Sequence, residues 1–202
     1  MRLCLPAVRL LGVVLVAVLF LAACGGHGDE TATTPEAGLP TVPAGPSELP
    51  AVDPNAPLVE YHSPEKSYSV SYPQGWQVNT ESGFADYFLW SADDGRPLAQ
   101  LAVTCNAQAL TLDDLISADA AVVARFGAGI DPSTIVPIQI AGTTGKQLMY
   151  TVPAGGLPVE QVVAYAPGEK CGWRLALASY GPGTLPAYLP LFQRIVASFQ
   201  PG

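Results

Sequence analysis

The residue best placed for covalent chemistry in this chain is Cys24, which directly follows Leu21-Ala22-Ala23 at the close of an apolar run. A thiol in that setting accepts a diacylglyceryl group and, once the chain is cut before it, becomes the first residue of the mature protein. Arg2 and Arg9 head the run and its core from Leu10 to Phe20 is uncharged, so residues 21–24 read as a lipobox closing a secretion signal. From Leu10 to Ala23 it spans 14 residues, whereas crossing about 30 Å of hydrocarbon takes about 20. Cleavage and acylation account for it better than a permanent span. At about 0.8 kcal/mol per buried CH₂, two acyl chains hold a protein down stably where one binds marginally. The expectation is an extracytoplasmic protein, lipid-anchored to the cell membrane, on its outer face in a single-membrane envelope. The alternatives are an ordinary signal peptide cut nearby, or an uncleaved anchor with Cys24 unmodified.

The other cysteines divide by position. Cys4 leaves with residues 1–23, while Cys105 and Cys171 stay as an even pair in an oxidising compartment, where a disulfide is expected. They lie 66 residues apart, and in the chain-entropy account closing a loop of that length adds on the order of 4 kcal/mol. Two buried free thiols remain the alternative, because sequence does not show whether the Cα atoms come within about 7 Å. Neither cysteine has another two to four residues away, which disfavours a redox motif or a zinc site.

Catalytic constellations are sparse. Histidine catalysis needs an imidazole beside a nucleophile and an orienting acid, and only His27 and His62 exist, one in a Pro-rich stretch and one in Tyr61-His62-Ser63-Pro64, which reads as a solvated turn. No Gly-x-Ser-x-Gly elbow, His-Glu-x-x-His helix or Cys-x-x-Cys pair occurs. Gly142-Thr143-Thr144-Gly145-Lys146 has two residues between its glycines where a phosphate loop has four, and Gln147 follows the lysine, so it reads as a hairpin turn. Asp93-Asp94 and Asp113-Asp114 carry oxygen ligands of the kind Ca²⁺ takes, but a turn and a helix start explain both pairs. No two acids are singled out for sugar hydrolysis. Trp76, Trp90 and Trp173 fit core or core-rim packing better than a ligand pocket. No catalytic residue, metal or cofactor is expected, and no ligand-binding residue is assigned.

Nine basic residues less Arg2 and Arg9 leave 7 against 17 acidic ones, a mature charge of about −10. That sign disfavours nucleic acid, which is held mainly by Lys and Arg on phosphates, and disfavours a basic patch on anionic lipid. It suits a protein partner that presents basic groups.

The elements that would position any site come after a spacer. Removing residues 1–23 from the 202 leaves 179. Residues 24–57 hold the cysteine and a tether carrying Pro35, Pro40, Pro43, Pro46, Pro50, Pro54 and Pro57 without apolar periodicity. Such a tether reaches on the order of 100 Å as polyproline II and nearer 30 Å as a flexible coil. Residues 58–202 then form one domain. Tyr68, Val70 and Tyr72 alternate with serines, a half-buried strand that turns at Pro73-Gln74-Gly75 into a second strand from Trp76. Strands over 86–90 and 97–104 flank the hairpin signal Asp93-Asp94-Gly95. Thr111 starts a helix whose Leu112, Leu115, Ile116, Val123 and Phe126 share a face, and Gly127 to Gly129 ends it. Strands over 135–140 and 147–152 surround the turn Gly142 to Gly145, and strands over 159–165 and 171–180 join at Pro167-Gly168. Leu185, Leu189, Phe192, Ile195, Val196 and Phe199 mark a closing helix, with Pro186 in its first turn and Pro190 near its start or at a kink. About eight strands and two main helices give an α+β fold, an antiparallel sheet of about six to eight strands flanked by helices in an α/β/α sandwich. Trp173-Arg174-Leu175-Ala176-Leu177-Ala178 lacks charged alternation and reads as a central strand covered on both faces.

Three signatures bring a resemblance with them. The domain opens Tyr68-Ser69-Val70-Ser71-Tyr72-Pro73-Gln74-Gly75-Trp76, has Thr-Leu-x-x-Leu at Thr111 to Leu115, and closes Phe192-Gln193-Arg194-Ile195-Val196-Ala197-Ser198-Phe199. This resembles the PsbP-like superfamily, which includes the extrinsic subunit of photosystem II and the LpqN-type lipoproteins of actinobacteria. The likeness spans roughly residues 61–199 and implies the same α+β fold. It also implies an assembly or binding subunit rather than an enzyme, and carries no binding residue over by position. The reading is a non-catalytic docking or accessory module for an envelope protein; alternatively, the domain binds a small apolar or glycan ligand at the cell surface.

Overall fold

The computed structural model describes residues 52–107, 111–154 and 157–202. Leu21, Ala22, Ala23 and Cys24, with the rest of the signal segment and the tether up to residue 51, lie outside the described residues. The described strands are β1 (Leu58–His62), β2 (Tyr68–Pro73), β3 (Gln77–Asn79), β4 (Ala85–Ser91), β5 (Pro97–Asn106), β6 (Val136–Ile140), β7 (Thr143–Ala154), β8 (Leu157–Ala166), β9 (Gly172–Ser179) and β10 (Gln200–Pro201). The helices are α1 (Leu112–Arg125) and α2 (Leu185–Ser198). Neither is long and apolar enough to cross a membrane.

The strands divide between two antiparallel sheets. Seven run in the order β3-β4-β5-β9-β8-β7-β6, and three in the order β1-β2-β10. As the apolar run 173–178 suggests, β9 lies in the middle, paired with β5 through Leu101–Leu177 and with β8 through Val162–Leu177. The expected turn from Gly142 to Gly145 is shorter than its glycines imply. Ala141 and Gly142 alone make it, both at positive φ, and β7 starts at Thr143. Gly145 serves packing instead, since a Cβ there would lie 2.2 Å from the Tyr165 carbonyl oxygen. His62 belongs to strand β1 rather than a turn, with its ring exposed and 3.4 Å from Glu60.

The two helices are capped differently, one by its own first turn and one by a strand. Thr111 caps α1 by accepting from the Asp114 amide, and Asp113 and Asp114 sit in the first turn against the positive end of the dipole. In α2 the cap comes from a distant strand. Thr184 makes no side-chain cap bond, and the Glu160 carboxylate of β8 accepts from the Gly183 and Leu185 amides. Leu185, Tyr188, Leu191, Phe192, Ile195 and Val196 give α2 one buried face, and Pro190 is accommodated inside the helix on its exposed side.

The main core lies on the α2 side of the large sheet. Phe88, Leu101, Val103, Leu175 and Leu177 meet Leu191, Phe192, Ile195 and Phe199 there, and Val70 and Tyr68 join them from the small sheet. Smaller clusters lie under α1, around Leu115, Leu148 and Val163 and around Val123, Val152 and Val159.

Candidate docking surface

The burial pattern along the strands shows which parts of the large sheet are covered. On β8 and β9, successive residues are buried on both sides, through Ala164-Tyr165-Ala166 and Leu175-Ala176-Leu177. On β4 and β5 the alternation returns. Phe88, Leu101 and Val103 are fully buried, whereas their neighbours Tyr87, Leu89, Gln100 and Ala102 are half-buried. The pairings Tyr87–Ala102 and Leu89–Gln100 put these four on one side, opposite the main core. Their side is the one that α1 covers farther along the sheet, over β7, β8 and β9. Coverage of both faces, expected from the sequence, therefore holds only for β8 and β9.

The half-sheet outside α1 is floored by Gln100 and Ala102 and edged by Tyr87 and Leu89, and Ala178 and Tyr180 mark its border, packed against the Val123 cluster under α1. Tyr180 donates to Gln100 Oε1 at 2.7 Å, which fixes the amide and the ring against each other. Gln77 and Asn79 of β3 extend the surface and are exposed. It carries no charged residue among those named, and it is neither greasy enough to be core nor charged enough to be plain solvent surface. Of these side chains, the tyrosines are of a type enriched at protein-binding faces, and the absence of Lys, Glu and Asp among them fits the same composition.

A polar cluster beneath α1 borders this surface. Arg174 of β9 places Nε 2.8 Å from Asp119 Oδ2 and 3.0 Å from Oδ1, and its Nη2 donates to the Tyr150 hydroxyl at 3.0 Å. Tyr165 donates to Asp119 Oδ2 at 2.5 Å, and Tyr150 donates to Gln161 Oε1 at 3.1 Å. Burial, reinforced by the Asp119 charge, pushes the Tyr165 hydroxyl far up. Burial also pushes Tyr150 up to about 12, although the Arg174 charge works against it. Burial alone pulls Arg174 down, but the Asp119 charge outweighs it and the guanidinium stays protonated. The bonds from Arg174 and Tyr165 make Asp119 an anchor for α1.

A second cluster sits on the sealed side. Lys66 Nζ lies 2.8 Å from Asp86 Oδ1, and the Tyr68 hydroxyl donates to Oδ2 at 2.6 Å. Burial pushes the Asp86 carboxyl up, yet hydrogen bonds from Lys66, Tyr68 and Ser63 outweigh it and hold it below its ordinary value. Asp86 too is spent on structure.

The residues singled out in the sequence fall as follows. Cys105 and Cys171 are bonded, with Cα atoms 5.5 Å apart. Asp94 accepts from the Arg96 amide in the β4–β5 turn, and Asp113 pairs with Lys146 at 2.8 Å. Among the described residues, no group of three His, Cys, Asp or Glu is placed to hold a metal. Trp76 and Trp173 are in the core, and Trp90 stacks on Trp76 at its rim, ring centroids 6.3 Å apart. Asp119 and Arg174 were not anticipated. The available signal was an acid in the apolar stripe of α1, between Leu115 and Val123, and a lone arginine in an apolar strand.

No protein-family model matches this sequence, and no curated protein matches it. Solved structures do. The Ran-binding protein Mog1p of Saccharomyces cerevisiae is 10% identical over 72% of this chain and 95% of its own, with a TM-score of 0.54. Cyanobacterial PsbP (CyanoP) from Synechocystis is 15% identical over 73% of this chain and 94% of its own, at 0.50. LpqN of Mycobacterium tuberculosis, involved in cell envelope biogenesis, is 12% identical over 71% and 90%, at 0.48. A further match, from Bacteroides thetaiotaomicron, is covered over 48% of its own length. The first two carry the assignment of fold, and this chain shares the α+β fold of Mog1p and CyanoP.

Proposed function

We propose that this PsbP-like domain is a non-catalytic docking module, held outside the cytoplasm by a lipid on Cys24 and presenting the half-sheet that α1 leaves bare to an envelope protein. The observation that carries the reading is the contrast within one sheet face. Its α1 half is covered by a helix and a polar cluster, while among the described residues its other half leaves Tyr87, Leu89 and Gln100 half-exposed.

Three further points support it. Asp86 and Asp119, the two acids set among buried side chains, are each engaged by a cation and a tyrosine. Mog1p is a Ran-binding protein, so one protein of this fold binds another protein. The lipobox at residues 21–24 and the Pro-rich spacer up to Pro57 give the domain an anchor and reach beyond the bilayer. The membrane is then one partner, through the lipid, and an envelope protein is the other; nucleic acid is not.

The test is crosslinking in intact cells of the anchored chain against a Cys24→Ala chain that is not acylated, with captured species identified by mass spectrometry. The reading predicts one reproducible envelope protein, captured only with the anchored form and lost in a Leu89→Glu chain that still folds. Capture of lipids or glycans alone would overturn it in favour of ligand binding, and turnover of ester, glycoside or peptide substrates by the purified chain would overturn it in favour of an enzyme.

A further inference from the structure

We propose that residues 52–57 are the root of the tether, seated by Arg194 in the groove between α2 and the small sheet, so that the domain hangs from the side of the large sheet opposite the bare half-sheet. Both walls of that groove hold the root. From α2, Arg194 Nη1 donates to the Pro54 carbonyl oxygen at 2.7 Å and to the Ala56 carbonyl oxygen at 3.0 Å. From just beyond β2, the Gln74 amide donates to the Pro57 carbonyl oxygen at 2.9 Å. Arg194 stands one helical turn before Ser198, whose hydroxyl accepts from the Ser71 amide of β2, so both residues lie on the flank of α2 that faces the small sheet.

The root is shaped to be held in this way. The Asp53 carboxylate accepts from the Asn55 amide at 2.8 Å and the Asp53 carbonyl oxygen accepts from the Ala56 amide at 3.1 Å, which closes a turn inside the segment. Pro54 fixes φ within that turn. The Asn55 and Ala56 amides are thus used internally, while the carbonyl oxygens of Pro54, Ala56 and Pro57 accept from the domain. One guanidinium nitrogen has two hydrogens to give, and Arg194 Nη1 directs both to this segment.

Sidedness follows from what the root touches. Val52 packs against the main core, which lies on the α2 side of the large sheet. Tyr87, Leu89, Gln100 and Ala102 lie on the other side of that sheet. A partner on the bare half-sheet and the start of the tether therefore occupy opposite sides of the domain. That consequence for docking rests on the function proposed above; the seating of the root by Arg194 does not.

The test uses the full mature chain with Cys24→Ala, its Cys105–Cys171 bond intact, and a nitroxide on Asn55→Cys, an exposed position in the root. Backbone amide signals of α2 around Arg194 and of β2 around Ser71 are expected to be broadened, and those of Tyr87 and Ala102 to stay sharp. With Arg194→Met that broadening is expected to fade, while in the unlabelled chain exchange of the Ala56 amide rises about tenfold or more and that of 112–125 changes by less than about threefold. Broadening at Tyr87 or Ala102 in the native chain, or an Arg194→Met chain that leaves broadening and exchange as they were, would overturn the seat. An Arg194→Met chain that does not fold, or that speeds exchange across 112–125 equally, would make Arg194 a core residue and overturn it too. None of these readouts uses a partner, so a failed capture from the half-sheet would overturn docking and leave the seat standing.

Discussion

The two faces of the seven-stranded sheet are built from similar parts to opposite ends. Each has an aspartate held by one cation and one or more tyrosines, yet Lys66 and Asp86 are 10% and 1% exposed where Arg174 and Asp119 are 21% and 13% exposed. The first pair lies between the small sheet and the large one, behind a layer of aromatic side chains that includes Tyr68 against Trp173 and Phe199. The second pins a single helix over half a sheet. A face closed by a second sheet and a helix needs its buried charge fully paired, because water is not there to help. One closed by a helix alone keeps part of its polar cluster wet and leaves the neighbouring strands β4 and β5 outside its cover.

That comparison can be broken most forcefully on the sealed side. Phe192→Ala removes a fully buried ring from the main core and is expected to cost about 3–5 kcal/mol, read as a lower urea midpoint. Lys66→Met leaves Asp86 buried without its cation, and a loss of about 3–5 kcal/mol is expected in the same assay. On the open side Arg174→Met should cost less, about 1–3 kcal/mol, since solvent reaches its partner and screens what remains. If the open-side variant proves the more damaging of the two, the faces are not different in the way described.

Acid sharpens the contrast further. The Asp86 carboxyl titrates below its unfolded value of about 4, so its contribution is fully present above that pH and is lost as pH falls through the lowered folded value. Urea midpoints of the unmodified chain should therefore drop below about pH 4, and an Asp86→Asn chain should lose that part of the dependence. Smallest of all is Leu89→Glu, on a half-buried strand position outside the core, expected to change stability by less than about 1 kcal/mol while abolishing capture of the partner.

How much of this was written in the sequence varies by element. The stripe from Leu185 to Phe199 and the uncharged run at Trp173 to Ala178 announce α2 and a central strand, because burial there is dense enough to override local ambiguity. Strands β1 and β10 were not legible, since Leu58–His62 and Gln200–Pro201 are defined by pairing with β2 rather than by any pattern of their own. The bare half-sheet was hidden for a related reason. Alternation judged on β9 alone says both faces are covered, and only the strand order shows β4 and β5 lying beyond the reach of α1. Asp119 and Arg174 are 55 residues apart, and an isolated charge in an apolar segment reads as a solvated exception until the fold brings its partner to it. Glu160 capping α2 from a strand 25 residues away from Leu185 is illegible for the same reason.

The most direct test of the docking reading is site-specific photo-crosslinking in intact cells, with a photoreactive side chain at Tyr87 on the bare half-sheet or at His62 on the exposed edge of the small sheet. The account predicts one envelope protein captured from position 87 and absent from position 62. Capture from position 62 alone, or equally from both, would contradict it.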